Sequence, residues 1–181
     1  MNVKAFFGFL VFVLIIITLA VTIISFSSKS ENGTNLPKIE ISKYIKTDSR
    51  AVYTVRGRIV ANEEHKGYRI TVTKTSRKLE ILSGYDNRVV SSKTFSNTEA
   101  AYEEFIYALQ RAGFSSLNND DLRGICANGS LYTYEFSNED KLLARQYSST
   151  CGDKSLKNFH PDNLFKTQIP EFSQLTSGIN L

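Results

Sequence analysis

The spacing of hydrophobic positions changes several times along the chain, and each change marks a different kind of predicted element. Residues 5–26 form an unbroken apolar run, residues 52–95 and 131–150 largely alternate between apolar and polar side chains, and residues 98–112 place apolar side chains three or four positions apart. Alternation is typical of a strand with one buried face, and steps of three and four are typical of an amphipathic helix. The pattern therefore predicts an α+β domain that follows an apolar N-terminal segment.

The apolar run is long enough to cross a membrane. Residues 5–26 are 22 residues without a charged side chain. As a helix rising about 1.5 Å per residue they would reach roughly 33 Å, against a hydrocarbon core of about 30 Å. A cleaved signal peptide is the alternative, but its apolar region is about 7–15 residues long and ends at a small-x-small site. Only Ser25-Phe26-Ser27 offers such a site, so we expect an uncleaved transmembrane anchor.

This anchor divides the chain into four parts. They are a short N-terminal tail at residues 1–4, the anchor at 5–26, a polar linker at 27–50 and a single extracytoplasmic α+β domain at 51–181.

Four strands open the domain, at residues 52–60, 68–74, 78–82 and 88–95. Because the connections between them are short, we expect an antiparallel four-strand meander. A helix at residues 98–112 should cover one face of it with an apolar stripe made of Ala101, Phe105, Ala108, Leu109 and Ala112. Ser96 and Glu99 have the spacing of a capping box, with Asn97 as a rival cap, and Gly113 marks the end of the helix.

A hairpin follows the helix, with strands at residues 131–136 and 141–150. If Phe136 pairs with Lys141, then Cys126 and Cys151 lie opposite each other at the open end of the hairpin. Opposed residues have Cβ atoms about 4.5–5.5 Å apart, which is slightly wide for a disulfide but within adjustment. Two unrelated buried thiols are the alternative. A disulfide would place the domain outside the cytoplasm, whereas the few lysines flanking the anchor weakly favour the opposite orientation.

The C-terminal segment contains short helical stretches around Pro161 and Pro170. Its apolar side chains are expected to close over the core, and an exposed docking strip is the alternative. They are Leu164, Phe165, Ile169, Phe172 and Leu175.

Charge is distributed unevenly along the domain. The chain carries a net charge of +4, but residues 38–93 contain 13 basic and 6 acidic side chains, and residues 97–141 contain 3 basic and 8 acidic ones. Mixed solvated faces would explain this, and so would a basic surface that meets anionic lipid or wall polymer. The candidate contacts for such a surface are Arg56, Arg58, Arg69, Lys74, Arg88 and Lys93.

The sequence offers no recognisable catalytic or cofactor motif. His65 and His160 lie in separate predicted loops without ligand spacing, and the two cysteines alone cannot complete a zinc site. No P-loop, G-x-G-x-x-G or G-x-S-x-G is present. We therefore expect no cofactor, and we favour a binding or structural module of the cell envelope. An envelope enzyme acting on wall polymer and a cytoplasm-facing regulatory domain are the alternatives, and nucleic acid is a weaker partner than lipid, polymer or an envelope protein.

Several short stretches resemble uncharacterised exported proteins of Saccharibacteria. The similarity runs through residues 57–65, Arg69-Ile70-Thr71-Val72, Gly84-Tyr85, Ala112-Gly113-Phe114, Gly124-Ile125-Cys126, Thr150-Cys151-Gly152 and Gln168-Ile169-Pro170. The family tends to have Asp where this chain has Glu171. The resemblance implies a membrane-anchored, envelope-facing protein with a disulfide, and it implies no catalytic residues.

Overall fold

The computed structural model describes residues 38–152, 161–179 and 181. A 3-10 helix at Ile41–Tyr44 precedes strands β1 (Ser49–Arg56), β2 (Lys66–Thr73), β3 (Ser76–Ser83) and β4 (Arg88–Ser96). Helix α1 (Glu99–Arg111) follows, then β5 (Leu131–Asn138), β6 (Lys141–Ser149) and the short helices α2 (Asp162–Lys166) and α3 (Phe172–Leu175). The described part is therefore α+β, as predicted.

All six strands belong to one antiparallel sheet in the order β4-β3-β2-β1-β5-β6. The predicted four-strand meander is present, but the hairpin is not separate from it. Strand β5 pairs along the whole of β1, from Ser49 opposite Asn138 to Arg56 opposite Leu131. Strand β1 was expected at an edge of the meander and lies instead in the middle of the sheet.

The alternation of side chains along β1 gives the sheet two different faces. Odd-numbered residues from Ser49 to Val55 are buried, whereas even-numbered residues from Arg50 to Arg56 are half-buried or exposed. Because paired residues point to the same side, Tyr53 shares its face with Ile70 on β2 and with Tyr134 on β5. We call the buried side the core face and the other side the groove face.

Helix α1 buries a stripe that differs by one position from the predicted one. The buried side chains are Tyr102, Phe105, Ile106 and Leu109. Phe105 and Leu109 belong to the prediction, but Ala101 and Ala112 are exposed. Turning Tyr102 and Ile106 inward removes more apolar area from water than turning alanines inward, and the Tyr102 hydroxyl reaches the Ser49 hydroxyl at 2.9 Å.

The predicted capping box at the start of α1 is wrong. Ser96 is still part of β4, where it pairs with Ser76, so it cannot cap the helix. Asn97 donates its side-chain amide to the carbonyl of Thr73 at 2.7 Å. The cap is Thr98, whose hydroxyl accepts a hydrogen bond from the Ala101 N–H at 3.3 Å. Gly113 adopts φ of 93°, which agrees with the predicted end of the helix.

The core is centred on Tyr53, which has no exposed surface. Its ring stacks on Tyr134 with centroids 5.1 Å apart and meets the ring of Phe165 in α2 at 5.3 Å. Phe165 also contacts Phe105 of α1 edge to face at 5.2 Å. The C-terminal segment thus closes over the core as predicted, with Phe165 and Ile169 buried.

The folded part begins before residue 51, where the linker was expected to end. Ile41 is fully buried and Ile45 nearly so, and the Ser42 N–H donates to the Gln110 side chain of α1 at 2.9 Å. The turn at Ile41–Tyr44 therefore packs with α1 as part of the domain.

Cys126 and Cys151 form a disulfide with Cα atoms 5.4 Å apart, but the register that predicted it is wrong. Phe136 pairs with Ala144, and the ladder shifts at a bulge after Phe136. The cysteines meet because residues 126–130 fold back against the end of β6. A Cβ on Gly129 would lie 3.1 and 3.2 Å from the two sulfur atoms and 2.1 Å from the Thr150 hydroxyl, so this fold-back depends on glycine.

The predicted anchor at residues 5–26 lies outside the described residues. Within the described ranges, no helix is long and apolar enough to span a bilayer.

Candidate ligand-binding groove

The groove face carries an open depression of about 650 Å³, which we call the sheet groove. Its floor is polar because alternation brings hydroxyl side chains of three adjacent strands to one side: Thr71 of β2, Thr54 of β1 and Thr133 of β5. Eight charged side chains among the described residues line the groove around this floor. They are Arg50, Arg56, Arg69, Lys78, Glu80, Glu135, Asp140 and Arg145.

Glu80 is held between two cations at one side of the groove. Its carboxylate lies 2.7 Å from the Lys78 ammonium and 3.5 Å from the Arg69 guanidinium. The Glu80 side chain is only 11% exposed, and a carboxylate with this little access to water needs such partners. One carboxylate thus serves two cations, which leaves positive charge in excess here.

The other side of the groove contains a weaker pair. Arg145 Nε lies 3.5 Å from the Glu135 carboxylate, across the β5–β6 ladder. Arg50 donates through Nε to the Ser137 hydroxyl at 3.0 Å, so its position is fixed without loss of its charge. Among the residues that the structure describes, five cations and three carboxylates line the groove, an excess of two positive charges.

Arg56 differs from the other cations of the groove. Among the described residues, no carboxylate lies within 4.0 Å of its guanidinium and no side-chain hydrogen bond restrains it. It stands at the last position of β1, and the residue is exposed. A free, always charged guanidinium is well suited to meet a carboxylate or phosphate of a ligand.

A loop closes the groove at the Arg56 end. Leu122 lines the groove, and it packs with Ile125 against the buried side chains of Cys126, Leu131 and Tyr147. The disulfide joins this cluster to the end of β6. The closed end of the groove is therefore anchored covalently as well as by packing.

The acidic residues of this loop have hydrogen-bond partners in the loop and on β6. The Arg123 side chain and then its backbone N–H donate hydrogen bonds to Asp121 and lower the pKa of that carboxyl to about 2. Asp120 accepts from the Tyr147 hydroxyl at 3.2 Å. The Arg123 charge is accordingly balanced by Asp121, unlike that of Arg56.

Only two of the six predicted contact residues line the sheet groove, namely Arg56 and Arg69. Arg58 follows the end of β1 and lines a different depression. Lys74 donates to the carbonyl of Lys46 at 3.2 Å, and exposed Arg88 starts β4. Lys93 extends to the other side of the sheet, 3.9 Å from Glu171 and 5.5 Å from the centroid of Phe95.

Three cations of the groove were not among the predicted contacts: Arg50, Lys78 and Arg145. Arg50 precedes the predicted start of the first strand, although it continues the alternation of Val52, Thr54 and Arg56. Arg145 was assigned to a separate hairpin, and only the pairing of β5 with β1 brings it to this face. Extending the alternating pattern by two residues toward the N-terminus would have found Arg50.

Two carboxylates of the groove and both cysteines already have partners in the structure. Glu80 and Glu135 are both engaged by cations, and no group of three or more His, Cys, Asp or Glu side chains among the described residues could hold a metal ion. Both cysteines form the disulfide, so neither has a free thiol. The cationic side chains and threonine hydroxyls of the groove can bind an anionic or hydroxyl-rich ligand.

Comparison with known proteins adds no family assignment. No protein-family model matches the chain, and no curated protein is significantly similar to it.

Proposed function

We propose that this protein is a membrane-anchored binding module of the cell envelope, whose sheet groove holds an anionic polymer outside the cytoplasm. The observation that carries the proposal is the excess of positive charge among the described residues of the groove, where Arg56 at the closed end meets no carboxylate. The ligand class follows from this chemistry, because guanidinium groups bind carboxylates and phosphates.

The shape of the groove supports an extended ligand. The groove crosses the neighbouring strands β2, β1 and β5 and continues to Arg145 on β6. Its cations are spread over strands β3, β2, β1 and β6, and the threonine hydroxyls of the floor can exchange hydrogen bonds with a hydrated chain. A polymer can engage these charges together, although each exposed contact alone is weak.

The location is supported by two features. The apolar run at residues 5–26 has the length of a membrane anchor, and the Cys126–Cys151 disulfide is typical of an oxidising compartment. The resemblance to exported Saccharibacteria proteins points in the same direction. A wall polymer or an anionic lipid headgroup would then be within reach of the groove, and the open length of the groove favours the polymer.

Binding of fluorescent polygalacturonate and polyphosphate to the full chain tests this proposal. The protein is reconstituted in nanodiscs of uncharged lipid, so that the lipid does not compete. The test variant is Arg50→Glu/Arg56→Glu, and the matched control is Arg88→Glu/Lys93→Glu, which changes the net charge equally but lies outside the groove.

We expect the wild type and the β4 control to bind both polyanions and the groove variant to lose at least tenfold in affinity. Binding should also weaken steeply with salt, since exposed charges are screened beyond about 8 Å at physiological ionic strength. Equal losses in the two variants would show that net charge, rather than the groove, attracts the polymer. Absence of binding by the wild type would overturn the proposal.

A further inference from the structure

Tyr85 presents one open ring face next to the closed end of the sheet groove. It follows Gly84 at the β3–β4 turn, and the residue is 46% exposed. Its other ring face is covered by His65, with centroids 4.2 Å apart and planes inclined by 12°. His65 is itself buried, and its Nδ1 lies 3.2 Å from the carbonyl oxygen of Arg58.

Hydrogen bonds fix the orientation of this ring. The Tyr85 hydroxyl donates to the Val60 carbonyl at 2.7 Å and accepts from the Val60 N–H at 3.0 Å. The Tyr85 N–H donates to the Asn62 side-chain oxygen at 3.0 Å. Gly84 has φ of 76°, and a Cβ there would approach Asp86 Oδ1 to 2.6 Å, so the turn that presents Tyr85 requires glycine. An exposed tyrosine held in this way loses little side-chain entropy when a ligand covers it.

Tyr85 also lines a second depression, of about 240 Å³. Its other lining residues include Ile59, His65, Ile125 and Leu131. Arg56 and Leu122 line both this depression and the sheet groove. The two sites therefore adjoin at Arg56, whose guanidinium has no carboxylate partner among the described residues.

We infer that Tyr85 is the stacking platform for a sugar ring, and that the ligand of the groove is an acidic polysaccharide. This inference rests on the proposed function and names its substrate class. The C–H bonds on one face of a pyranose ring carry partial positive charge and pack on the negative face of an aromatic ring. Arg56 then pairs with the carboxylate carried by the same residue or its neighbour.

The polar floor favours a sugar polymer over other polyanions with flat rings. Thr54, Thr71 and Thr133 offer hydroxyl groups along the path that leaves the platform, and a polymer rich in hydroxyls can exchange hydrogen bonds with them. A single-stranded nucleic acid could also stack a base on Tyr85, so the experiment includes a nucleic-acid probe that separates this ligand from a sugar polymer.

The experiment compares three probes on the full chain in uncharged nanodiscs: polygalacturonate, polyphosphate with a similar number of charges, and oligodeoxythymidylate. The variants are Tyr85→Ala, Tyr85→Phe and the control Tyr107→Ala, which removes a similarly exposed tyrosine from α1. Polyphosphate has no ring, so its binding also reports whether the groove of each variant is intact.

We expect Tyr85→Ala to weaken polygalacturonate binding about five- to tenfold, as the loss of one stacking contact of about 1–1.4 kcal/mol would, and to leave polyphosphate binding within about twofold. Tyr85→Phe should retain most of the affinity for polygalacturonate because the ring remains, and Tyr107→Ala should change neither probe.

Other outcomes overturn the inference. If Tyr85→Ala leaves polygalacturonate binding unchanged, or weakens the binding of polygalacturonate and polyphosphate equally, Tyr85 does not stack on a sugar ring. The proposed function of the groove would still stand in that case. Oligodeoxythymidylate binding that depends on Tyr85, without polygalacturonate binding, would assign the platform to nucleic acid. If neither polyanion binds the wild type, the proposed function fails and this inference fails with it.

Discussion

Replacing Phe165 with alanine tests how firmly the C-terminal segment belongs to the domain. The ring of Phe165 is fully buried between the sheet and α1. Its neighbours are Tyr53 at 5.3 Å, Phe105 at 5.2 Å and Tyr134 at 6.2 Å, measured between ring centroids. The substitution removes the whole ring from this aromatic cluster without changing any charge.

We expect Phe165→Ala to lower the free energy of unfolding by about 3–5 kcal/mol, which is the usual range for deleting a buried phenylalanine ring. Domains of ordinary size are stable by about 5–15 kcal/mol, so this is a large fraction of the total. Phe172 provides the matched control. Its ring contacts Tyr68 edge to face at 5.3 Å but is only partly buried, and Phe172→Ala should cost about 1 kcal/mol.

Urea unfolding of the full chain in nanodiscs measures both losses. The chain contains no tryptophan, so the near-ultraviolet circular dichroism of the tyrosines reports on the aromatic core directly. Similar slopes of stability against urea in all three proteins would show that the comparison is valid. A loss below about 1 kcal/mol for Phe165→Ala, or equal losses for the two variants, would refute the placement of Phe165 at the centre of the core.

Three further predictions follow from the fold. Replacing both cysteines with serine should cost about 3.5 kcal/mol in urea unfolding on the chain-entropy model for a sequence separation of 25 residues, and in the wild type neither thiol should alkylate before reduction. Thr98→Ala should lower the free energy of unfolding by about 1 kcal/mol and Ser96→Ala by much less, because Thr98 is the cap of α1. A larger loss for Ser96→Ala than for Thr98→Ala would show that Ser96 caps the helix instead. Burial raises the pKa of both Tyr68 and Tyr102 to about 12, above the ordinary value near 10. Because the unfolded chain then loses these protons first, these two groups should leave stability unchanged below about pH 10 and lower it between about pH 10 and 12. In ultraviolet absorbance, the ionisation signal of Tyr68 and Tyr102 should appear only above about pH 10 while the domain is folded, and its full appearance near pH 10 would contradict this prediction.

Local patterns predicted the types of element well, because a strand or helix with one buried face places its apolar residues at a fixed spacing along the sequence. The alternation of Tyr68, Ile70 and Val72 gives β2, and the steps from Phe105 to Leu109 give α1. The same patterns do not show that β1 has a second neighbour on its other edge, because β5 has an apolar face of the same period as β2 but is distant in sequence. The pairing with β5 depends on long-range packing, such as the stacking of Tyr53 on Tyr134.

The disulfide shows how a correct result can follow from an incorrect register. Counting residues from the hairpin loop placed Cys126 opposite Cys151, but the loop is tighter than expected, with Asn138 opposite Lys141, and a bulge after Phe136 shifts the ladder by one more residue. The close approach comes instead from Gly129, whose missing side chain lets the loop fold against both sulfur atoms. A bulge and a fold-back of this kind leave no periodic signal in the sequence.

The candidate groove could be predicted only in part for the same reason. Arg56 and Arg69 are the two predicted contacts that line the groove, and they lie on the paired strands β1 and β2. Arg145 reaches the groove through the β1–β5 pairing, and Lys93 leaves it because β4 turns that side chain toward Glu171. Net charge along the sequence indicated a basic half but not which side of the sheet would carry it.

The central position of β1 has a consequence for the order in which the protein can assemble. Strands β1–β4 and helix α1 are synthesised before β5, yet β5 alone covers the outer edge of β1. Until residues 131–138 are synthesised, the growing chain exposes that edge with its unpaired amide and carbonyl groups, which can pair with another chain. The disulfide requires Cys151, which follows β6. It can therefore close only after β6 has been synthesised, so the disulfide gives the earlier strands no protection while that edge is exposed.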